Sequence, residues 1–399
     1  MNIKQRRLVM LLVISMMMTL SGAVSLLRAD TGTCNGNTVT LPFTDVAGNF
    51  AFCWIAEAYF SGLTGGTSAT TYSPTNPVTR DQMAVFITRS MDQALKRGNR
   101  RAAAKKWWKP QAGLTSLGLT NVDSQPRLVE FDGEDLWVAN QGAGTVTRVH
   151  ASDGRVLGTY TGATGAYGVL VAAGHILVTG NKAPGALYLI DPTQPPGPVQ
   201  VAPFTLGDNP SGIAFDGERI WTANAGSGGP GSGSISIYSL STDTVSTVQL
   251  GFNQPLGMLY DGSNIWVTDQ GAGTLLKLDA AGQILQTVTV GTGPMHPVFD
   301  GANIWVPNFF SPSVTVVRAA SGSVLATLTG NLLSSPTAAA FDGERILITC
   351  HSQVSLFRAT DFAALGSCST GLNSHPQGVA SDGLNFWITL SSTGKLARF

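Results

Sequence analysis

A ten-residue phrase with an Asp-Gly step near its start recurs along the C-terminal two-thirds of the chain. It is FDGEDLWVAN at residues 131–140 and FDGERIWTAN at residues 215–224. Further copies begin at Tyr260, Phe299, Phe341 and Ser381, and a degenerate copy lies at residues 171–178. The seven copies are spaced by about 42 residues, which indicates repeated units that each pack against their neighbours.

Each repeat predicts four antiparallel strands. Asp-Gly between two apolar stretches favours a tight hairpin, because Gly accepts a positive φ and Asp tolerates it. A Trp follows the hairpin in five copies, and we interpret these side chains as core residues between packed sheets. A Gly-rich turn and two further strands complete the unit. Four antiparallel strands in about 42 residues correspond to one blade of a propeller.

The predicted fold is therefore mainly β, a seven-bladed β-propeller of four-stranded antiparallel blades over residues 113–399. The chain ends in a segment, 395–399, that matches a third strand, so the last blade lacks a fourth strand of its own. Residues 114–120 match a fourth strand. We expect them to complete the last blade, which removes the exposed sheet edges.

The repeated phrase of Asp-Gly, Trp, Val and Ala-Asn resembles the repeats of YVTN and NHL-type propellers and of virginiamycin B lyase. The resemblance covers the propeller residues and implies the fold more than the activity, because such propellers include many binding proteins and some enzymes. In the lyase family, a histidine at the channel mouth acts with a carboxylate and a divalent metal in an elimination reaction.

Three of the five histidines fall where a propeller would bring them to one face. His296 and His375 lie in the turns before inner strands, and His351 follows a second strand. We expect them around the mouth of the central channel, as part of a binding face with Arg127, Asp269 and Asn308. Because His suits proton transfer near neutral pH, His296 and His375 are also the candidates for catalysis, with Asp269 as the carboxylate partner.

The sequence contains no nucleophile elbow, Walker loop, Rossmann fingerprint or zinc-protease motif. We therefore predict a non-enzymatic platform without a cofactor that binds a protein or glycan ligand. The first alternative is a lyase or hydrolase that uses a channel-mouth histidine and a divalent metal. The second is a surface adhesion protein with no small ligand.

Residues 1–29 predict a signal peptide. Lys4, Arg6 and Arg7 precede an apolar run, 8–20, and small residues follow it at 21–25. This order is typical of a cleaved export signal, and a membrane anchor is the alternative. We expect a secreted protein, periplasmic or at the cell surface, with no membrane span after cleavage.

Residues 30–97 predict a small α-helical domain. An apolar segment at 50–60 predicts one helix, and Thr79 predicts the N-cap of a second, with Gln82 as its capping-box partner. This order resembles a single S-layer homology domain, a family that anchors proteins to cell-wall polymers. The resemblance implies that Arg80 contacts an anionic polymer or other envelope component, supported by Thr79. A structural helical cap is the alternative.

Charge divides the chain. Residues 1–109 carry 13 Lys and Arg against 5 Asp and Glu, and residues 110–399 carry 11 against 19. Much of the positive charge lies near residues 98–112, which we predict to be a basic linker. The acidic balance of the propeller argues against nucleic acid as a partner, because phosphate binding needs clustered cations.

Four cysteines in an exported chain are candidates for disulfides. Of the three possible connectivities, local pairing is the simplest. It joins Cys34 to Cys53 and Cys350 to Cys368.

Overall fold

The computed structural model describes residues 29–34, 37–60, 64–87, 118–227, 229–249 and 251–399. The chain divides into two compact units, Met1–Gly98 and Asn99–Phe399. The predicted linker, and the predicted signal peptide except its last residue, lie outside the described residues. In the described part of the chain, no helix is long and apolar enough to cross a membrane.

The first unit combines a β-hairpin with helical segments. Its elements are β1 (Asp30–Cys34), β2 (Asn37–Leu41) and α1 (Phe52–Phe60). Residues 80–87 are also helical. Its core consists of Leu41, Phe43, Val46, Phe52, Ile55 and Ala56. The structure therefore does not support the predicted small α-helical domain, because the Thr- and Val-containing segment 30–41 alternates in burial and forms the hairpin.

Two sequence predictions for this unit are confirmed. The Thr79 N–H donates to Gln82 Oε1 at 3.0 Å, and the Gln82 N–H lies 3.5 Å from Thr79 Oγ1, which is the reciprocal pattern of a capping box. Cys34 and Cys53 form a disulfide with a Cα–Cα distance of 5.6 Å. The similarity to an S-layer homology domain stays a prediction.

The second unit contains seven four-stranded antiparallel sheets. The last sheet takes its outer strand from the start of the unit, β3 (Leu119–Asn121). The strands of the first four sheets are β4 (Pro126–Phe131), β5 (Asp135–Asn140), β6 (Thr145–His150), β7 (Val156–Thr161), β8 (Ala166–Ala172), β9 (His175–Gly180), β10 (Ala186–Ile190), β11 (Gln200–Val201), β12 (Pro210–Phe215), β13 (Arg219–Asn224), β14 (Ser234–Ser239), β15 (Thr244–Val248), β16 (Pro255–Tyr260), β17 (Ile265–Asp269), β18 (Thr274–Leu278) and β19 (Ile284–Thr289).

The strands of the last three sheets are β20 (Val298–Phe299), β21 (Asn303–Asn308), β22 (Ser313–Arg318), β23 (Val324–Leu328), β24 (Ala338–Phe341), β25 (Arg345–Cys350), β26 (Gln353–Arg358), β27 (Ala364–Ser369), β28 (Pro376–Ser381), β29 (Phe386–Leu390) and β30 (Lys395–Arg398). The first strands of successive sheets contact one another in a closed ring, which includes β28 against β4. The sheets are therefore seven blades around a central axis, and the predicted propeller is confirmed.

Closure of the ring also follows the prediction. Strand β3 pairs antiparallel with β30, with Thr120 opposite Leu396, so the N-terminal edge of the propeller completes blade 7. The strand is shorter than the predicted 114–120, of which only residues 118–120 are described. This pairing leaves blade 7 with four strands like the other blades.

In five of the six Asp-Gly hairpins, the Asp has two structural roles. In blade 1, Asp132 Oδ1 accepts the N–H groups of Glu134 and Asp135 at 2.9 and 2.7 Å, and Gly133 has a φ of 107°. The other carboxylate oxygen accepts the buried Trp137 Nε1–H at 2.7 Å. The same Asp-to-Trp bond occurs at Trp221, Trp266, Trp305 and Trp387. The Asp-Gly phrase is repeated because one carboxylate stabilises both the hairpin turn and the buried Trp.

The predicted bond between Cys350 and Cys368 is wrong, because both thiols are free. They lie on opposite faces of the blade 6 sheet. Cys350 is buried in the cluster that blade 6 shares with Trp305 of blade 5. Cys368 packs on the other side, against the cluster that contains Phe386 of blade 7. Side chains on opposite faces of one sheet diverge, so their proximity in sequence does not bring the sulfur atoms together.

Candidate functional site

Seven equivalent turns lead into the inner strands on one face of the propeller, which we call the channel-mouth face. Each turn holds one residue at positive φ, and these residues are Gln125, Gly165, Asn209, Gln254, Gly293, Ser335 and His375. The carbonyl of this residue accepts an N–H from the loop after the second strand, as from Gln141 to Gln125 at 3.0 Å. This bond, present in six blades, holds the two kinds of loop together around the channel.

The side chain two positions after the positive-φ residue differs in all seven blades. In blade order these residues are Arg127, Tyr167, Ser211, Leu256, Met295, Thr337 and Gln377. The backbone at this point is repeated, as the antiparallel registers of the first and second strands show. The backbone is therefore constant at a position where the side chains differ. Arg127, Tyr167, Leu256 and Gln377 are half-buried there, whereas the other three are buried.

The next position is Gly in four blades, because the neighbouring inner strand passes close to it. A Cβ at Gly168 would lie 2.1 Å from the Ser211 carbonyl oxygen, and one at Gly257 would lie 2.5 Å from that of Met295. Blade 5 has His296 at this position. Its N–H donates to the Thr337 carbonyl at 3.1 Å, and its own carbonyl accepts from Ala339 at 3.2 Å. The His296 backbone is thus bonded directly to blade 6.

The side chain of His296 meets residues from blades 1 and 2. Its ring centroid lies 5.9 Å from that of Tyr167. Burial lowers the pKa of His296 to about 4, and the positive charge of Arg127 acts in the same direction. The ring is therefore neutral at neutral pH. Its Nε2 is buried and forms no hydrogen bond with any described residue.

Arg127 is half-buried at the channel mouth. Its Nε donates to Gln141 Oε1 at 2.7 Å, and its Nη1 donates to Gln377 Oε1 at 3.3 Å. The guanidinium carbon lies 5.5 Å from the centroid of the Tyr167 ring. None of the ion pairs among the described residues includes Arg127. Burial raises the pKa of Tyr167, although the charge of Arg127 opposes this shift.

The other two predicted histidines form a separate pair. The rings of His351 and His375 have centroids 4.5 Å apart, and His375 Nδ1 lies 2.9 Å from Ser392 Oγ. His375 is the positive-φ residue of its own turn, and His351 is exposed on the adjacent loop. The structure therefore brings His351 to His375, and His296 to Arg127 and Tyr167.

Asp269 and Asn308, also predicted for this site, occupy one framework position of the blades. Asp269 is 1% exposed, and its Oδ2 accepts the Asn253 N–H at 2.7 Å. Burial raises its pKa, although backbone N–H groups oppose this effect. Asn308 Nδ2 donates to Ser313 Oγ and Thr315 Oγ1 at 3.1 and 3.0 Å. Both side chains are thus bonded to strands and turns of their own blade.

Sequence reasoning passed over Glu130, because it lies next to the repeated phrase, directly before Phe131. It pairs across the sheet with Trp137. The residues in that register position elsewhere are all apolar, namely Leu170, Ala214, Leu259, Val298, Ala340 and Ala380. Glu130 and Tyr167 are both half-buried, and both lie on the inner strands that surround the channel. Burial raises the pKa of Glu130 to about 7. Comparison of the repeats would have revealed it.

The donor set around His296 does not fit a divalent cation. The Tyr167 ring lies against its imidazole and the charge of Arg127 acts on it, and a guanidinium repels a second positive charge. In the described part of the chain, no three His, Cys, Asp or Glu side chains gather where they could hold one metal ion.

The comparisons with known proteins show the fold. No family model matches the chain. An endoglucanase of Bacillus sp. (strain KSM-635) is 39% identical over 94 residues, which are 23% of this chain and only 10% of that enzyme. The structure of a streptogramin B lyase superposes on 72% of this chain and 99% of its own, with a TM-score of 0.59 and 16% identity.

Two further structures are similar to the same extent. Virginiamycin B lyase from Staphylococcus aureus has a TM-score of 0.60 and 15% identity, and the match covers 71% of this chain and 98% of that one. A functionally unknown protein from Desulfotomaculum acetoxidans has a TM-score of 0.55 and 17% identity over 66% and 91% of the two chains. The propeller therefore resembles virginiamycin B lyase-like proteins in fold.

Proposed function

We propose that the chain is an exported cell-envelope protein whose propeller binds a ligand on the channel-mouth face without chemical turnover. The observation that carries this proposal is the variation among the half-buried side chains at one repeated backbone position, Arg127, Tyr167, Leu256 and Gln377. Blade packing alone does not require such variation, whereas recognition of an asymmetric ligand does. Rigid scaffolds commonly recognise ligands through variable positions of this kind.

The first unit would hold the protein to a cell-wall polymer or another envelope component. Arg80 is exposed at the start of the helical segment 80–87, next to the capping box of Thr79 and Gln82. The N-terminal end of a helix also favours an anionic partner through its backbone dipoles. The disulfide between Cys34 and Cys53 is compatible with an oxidising compartment outside the cytoplasm.

Sedimentation with isolated envelopes tests this assignment. The purified protein, an Arg80→Ala variant and an Arg155→Ala variant would be spun with envelopes and with sacculi. Arg155 is an exposed arginine on the propeller, so it controls for the loss of one surface charge. We expect Arg80→Ala alone to lose sedimentation. Equal sedimentation of all three proteins would contradict anchoring through Arg80.

A second candidate function is hydrolysis at the pair formed by His375 and Ser392. The 2.9 Å contact between Ser392 Oγ and His375 Nδ1 is the arrangement in which a histidine can take a proton from a nucleophilic hydroxyl. Turnover of an ester or lactone should then fall about 10²- to 10⁴-fold in His375→Ala. His175→Ala, an exposed histidine on a hairpin of blade 2, is the control. Absence of turnover in the unaltered protein would leave binding as the function.

A further inference from the structure

Arg127 is a cation at the channel mouth with unused hydrogen-bond donors. A guanidinium has five N–H donors, and those of Arg127 that form bonds in the described structure go to Gln141 and Gln377. Both partners are neutral amides, so they orient the guanidinium without neutralising its charge. The remaining donors include both on Nη2, and they are available to a group that enters the channel.

A second unused polar group lies in the same cluster. His296 is 9% exposed, and its buried Nε2 has no partner among the described residues. The Tyr167 ring lies next to both groups, 5.5 Å from the Arg127 guanidinium carbon and 5.9 Å from the centroid of the imidazole. A buried polar group without a hydrogen bond costs free energy that a ligand atom would recover.

The charges in this cluster select the kind of ligand. The cluster has one fixed positive charge, and the two other groups are a neutral imidazole and a phenol. A single guanidinium matches a singly charged, planar carboxylate, which it can bind through two parallel N–H bonds. A phosphate monoester carries nearly two negative charges and would leave one of them uncompensated in a half-buried site.

We propose that the channel mouth binds the carboxylate of an acidic ligand, with Arg127 as the anion contact and His296 as a hydrogen-bond donor through its Nε2–H. This inference rests on the proposed binding function and names the chemical class of its ligand. A hexuronic acid in a glycan and the C-terminus of a peptide both supply this group. Gln141 and Gln377 are positioning residues, because they hold the guanidinium through its Nε and Nη1 atoms.

The test is isothermal titration of the full-length mature protein with matched probes. One pair is an oligosaccharide of hexuronic acid and the same oligosaccharide with its carboxyl groups reduced to alcohols. The other is a short peptide with a free C-terminus and the same peptide amidated. We expect binding of one acidic probe, weakening with added salt, and no binding of its neutral counterpart. The pair that binds identifies the source of the carboxylate.

Arg127→Met should weaken that binding about ten- to a hundredfold, the usual loss for a charge-assisted hydrogen bond. Arg155→Met, in an exposed loop, should leave it unchanged. The imidazole proton signals of His296 should shift during titration, which a merely structural histidine would not show. If Arg127→Met does not fold, Arg127→Lys replaces it, because it retains the charge but loses the second N–H bond and should bind more weakly.

Binding of acidic and neutral probes alike, binding of a sugar phosphate in preference to both acids, or no binding of any acid would each overturn the inference. Full affinity in the arginine variant would also overturn it. Envelope sedimentation separates this failure from that of the proposed function. Arg127→Met protein that still sediments, while no acidic probe binds, refutes the carboxylate site and leaves the envelope protein intact.

Discussion

Replacement of Glu130 by Gln should stabilise the protein at alkaline pH but not at acidic pH. Glu130 is a carboxyl group at a position where six other blades have Leu, Val or Ala. Its cross-strand partner, Trp137, is completely buried. Burial raises the pKa of Glu130 from 4.5 to about 7, and no positive group offsets this effect. Ionisation is therefore less favourable in the folded chain than in the unfolded chain.

The size and sign of the effect follow from these two pKa values. Below pH 4.5, Glu130 is protonated in both states and costs nothing through ionisation. Between pH 4.5 and about 7 only the unfolded chain ionises, so stability declines as the pH rises, and above about 7 the loss is complete. Each pH unit between the two pKa values corresponds to about 1.4 kcal/mol of unfolding free energy. Because Glu130 keeps partial contact with solvent, the total loss of stability is reduced to about 2 kcal/mol.

Urea unfolding followed by tryptophan fluorescence, at pH 4 and at pH 8, measures this difference. Glu130→Gln should be about 2 kcal/mol more stable than the unaltered protein at pH 8 and nearly equal at pH 4. Glu134→Gln, which removes an exposed carboxylate from the neighbouring hairpin, should stay within about 0.5 kcal/mol at pH 8. A stability gain of Glu130→Gln that is the same at both pH values would refute an origin in ionisation.

Three further predictions concern the framework. Asp300→Ala should cost about 1–3 kcal/mol by leaving the buried Trp305 indole N–H unpaired, and a double-mutant cycle with Trp305→Leu should show positive coupling. Additive losses would contradict the shared bond. Without reductant, the denatured protein should titrate two thiols, from Cys350 and Cys368, and fewer would indicate that they are bonded. Gly168→Ala should lower the unfolding midpoint in urea, because its Cβ would lie 2.1 Å from a carbonyl oxygen of blade 3, and an unchanged midpoint would contradict that close approach.

The propeller could be predicted because its signal is repeated along the chain. The Asp-Gly phrase recurs at a constant spacing, and the requirements of a hairpin and of a buried Trp are local ones. Blade 2 lacks both the Asp and the Trp, with Ala172 and Leu177 in their places, yet it keeps the register of the other blades. Neighbouring blades therefore impose the fold on a repeat whose own signal is weak.

The details of pairing could not be predicted, since they depend on which face of a sheet a residue occupies. Cys350 and Cys368 are close in sequence, but the strand registers place their side chains on opposite faces of the blade 6 sheet. Cys350 packs against blade 5 and Cys368 against blade 7. The same limitation applies to the histidines. His375 directly precedes the first residue of an inner strand, whereas His296 follows the equivalent proline by two positions and reaches into the channel. Only superposition of the seven blades shows how far along the inner strand each histidine lies.

A repeat protein supplies its own control for what a residue contributes to packing. At the position of His296 four blades have Gly, and at the position of Glu130 the other blades have only apolar residues. Each residue therefore introduces a polar group that the fold does not need, and one leaves a buried nitrogen unpaired. Asp269 and Asn308 form hydrogen bonds that stabilise their own blade, which accounts for their burial. No such framework role accounts for the burial of His296 or Glu130. Because natural proteins tolerate such local conflicts mainly at functional sites, the departures from the repeat support the proposal that the channel is the binding site.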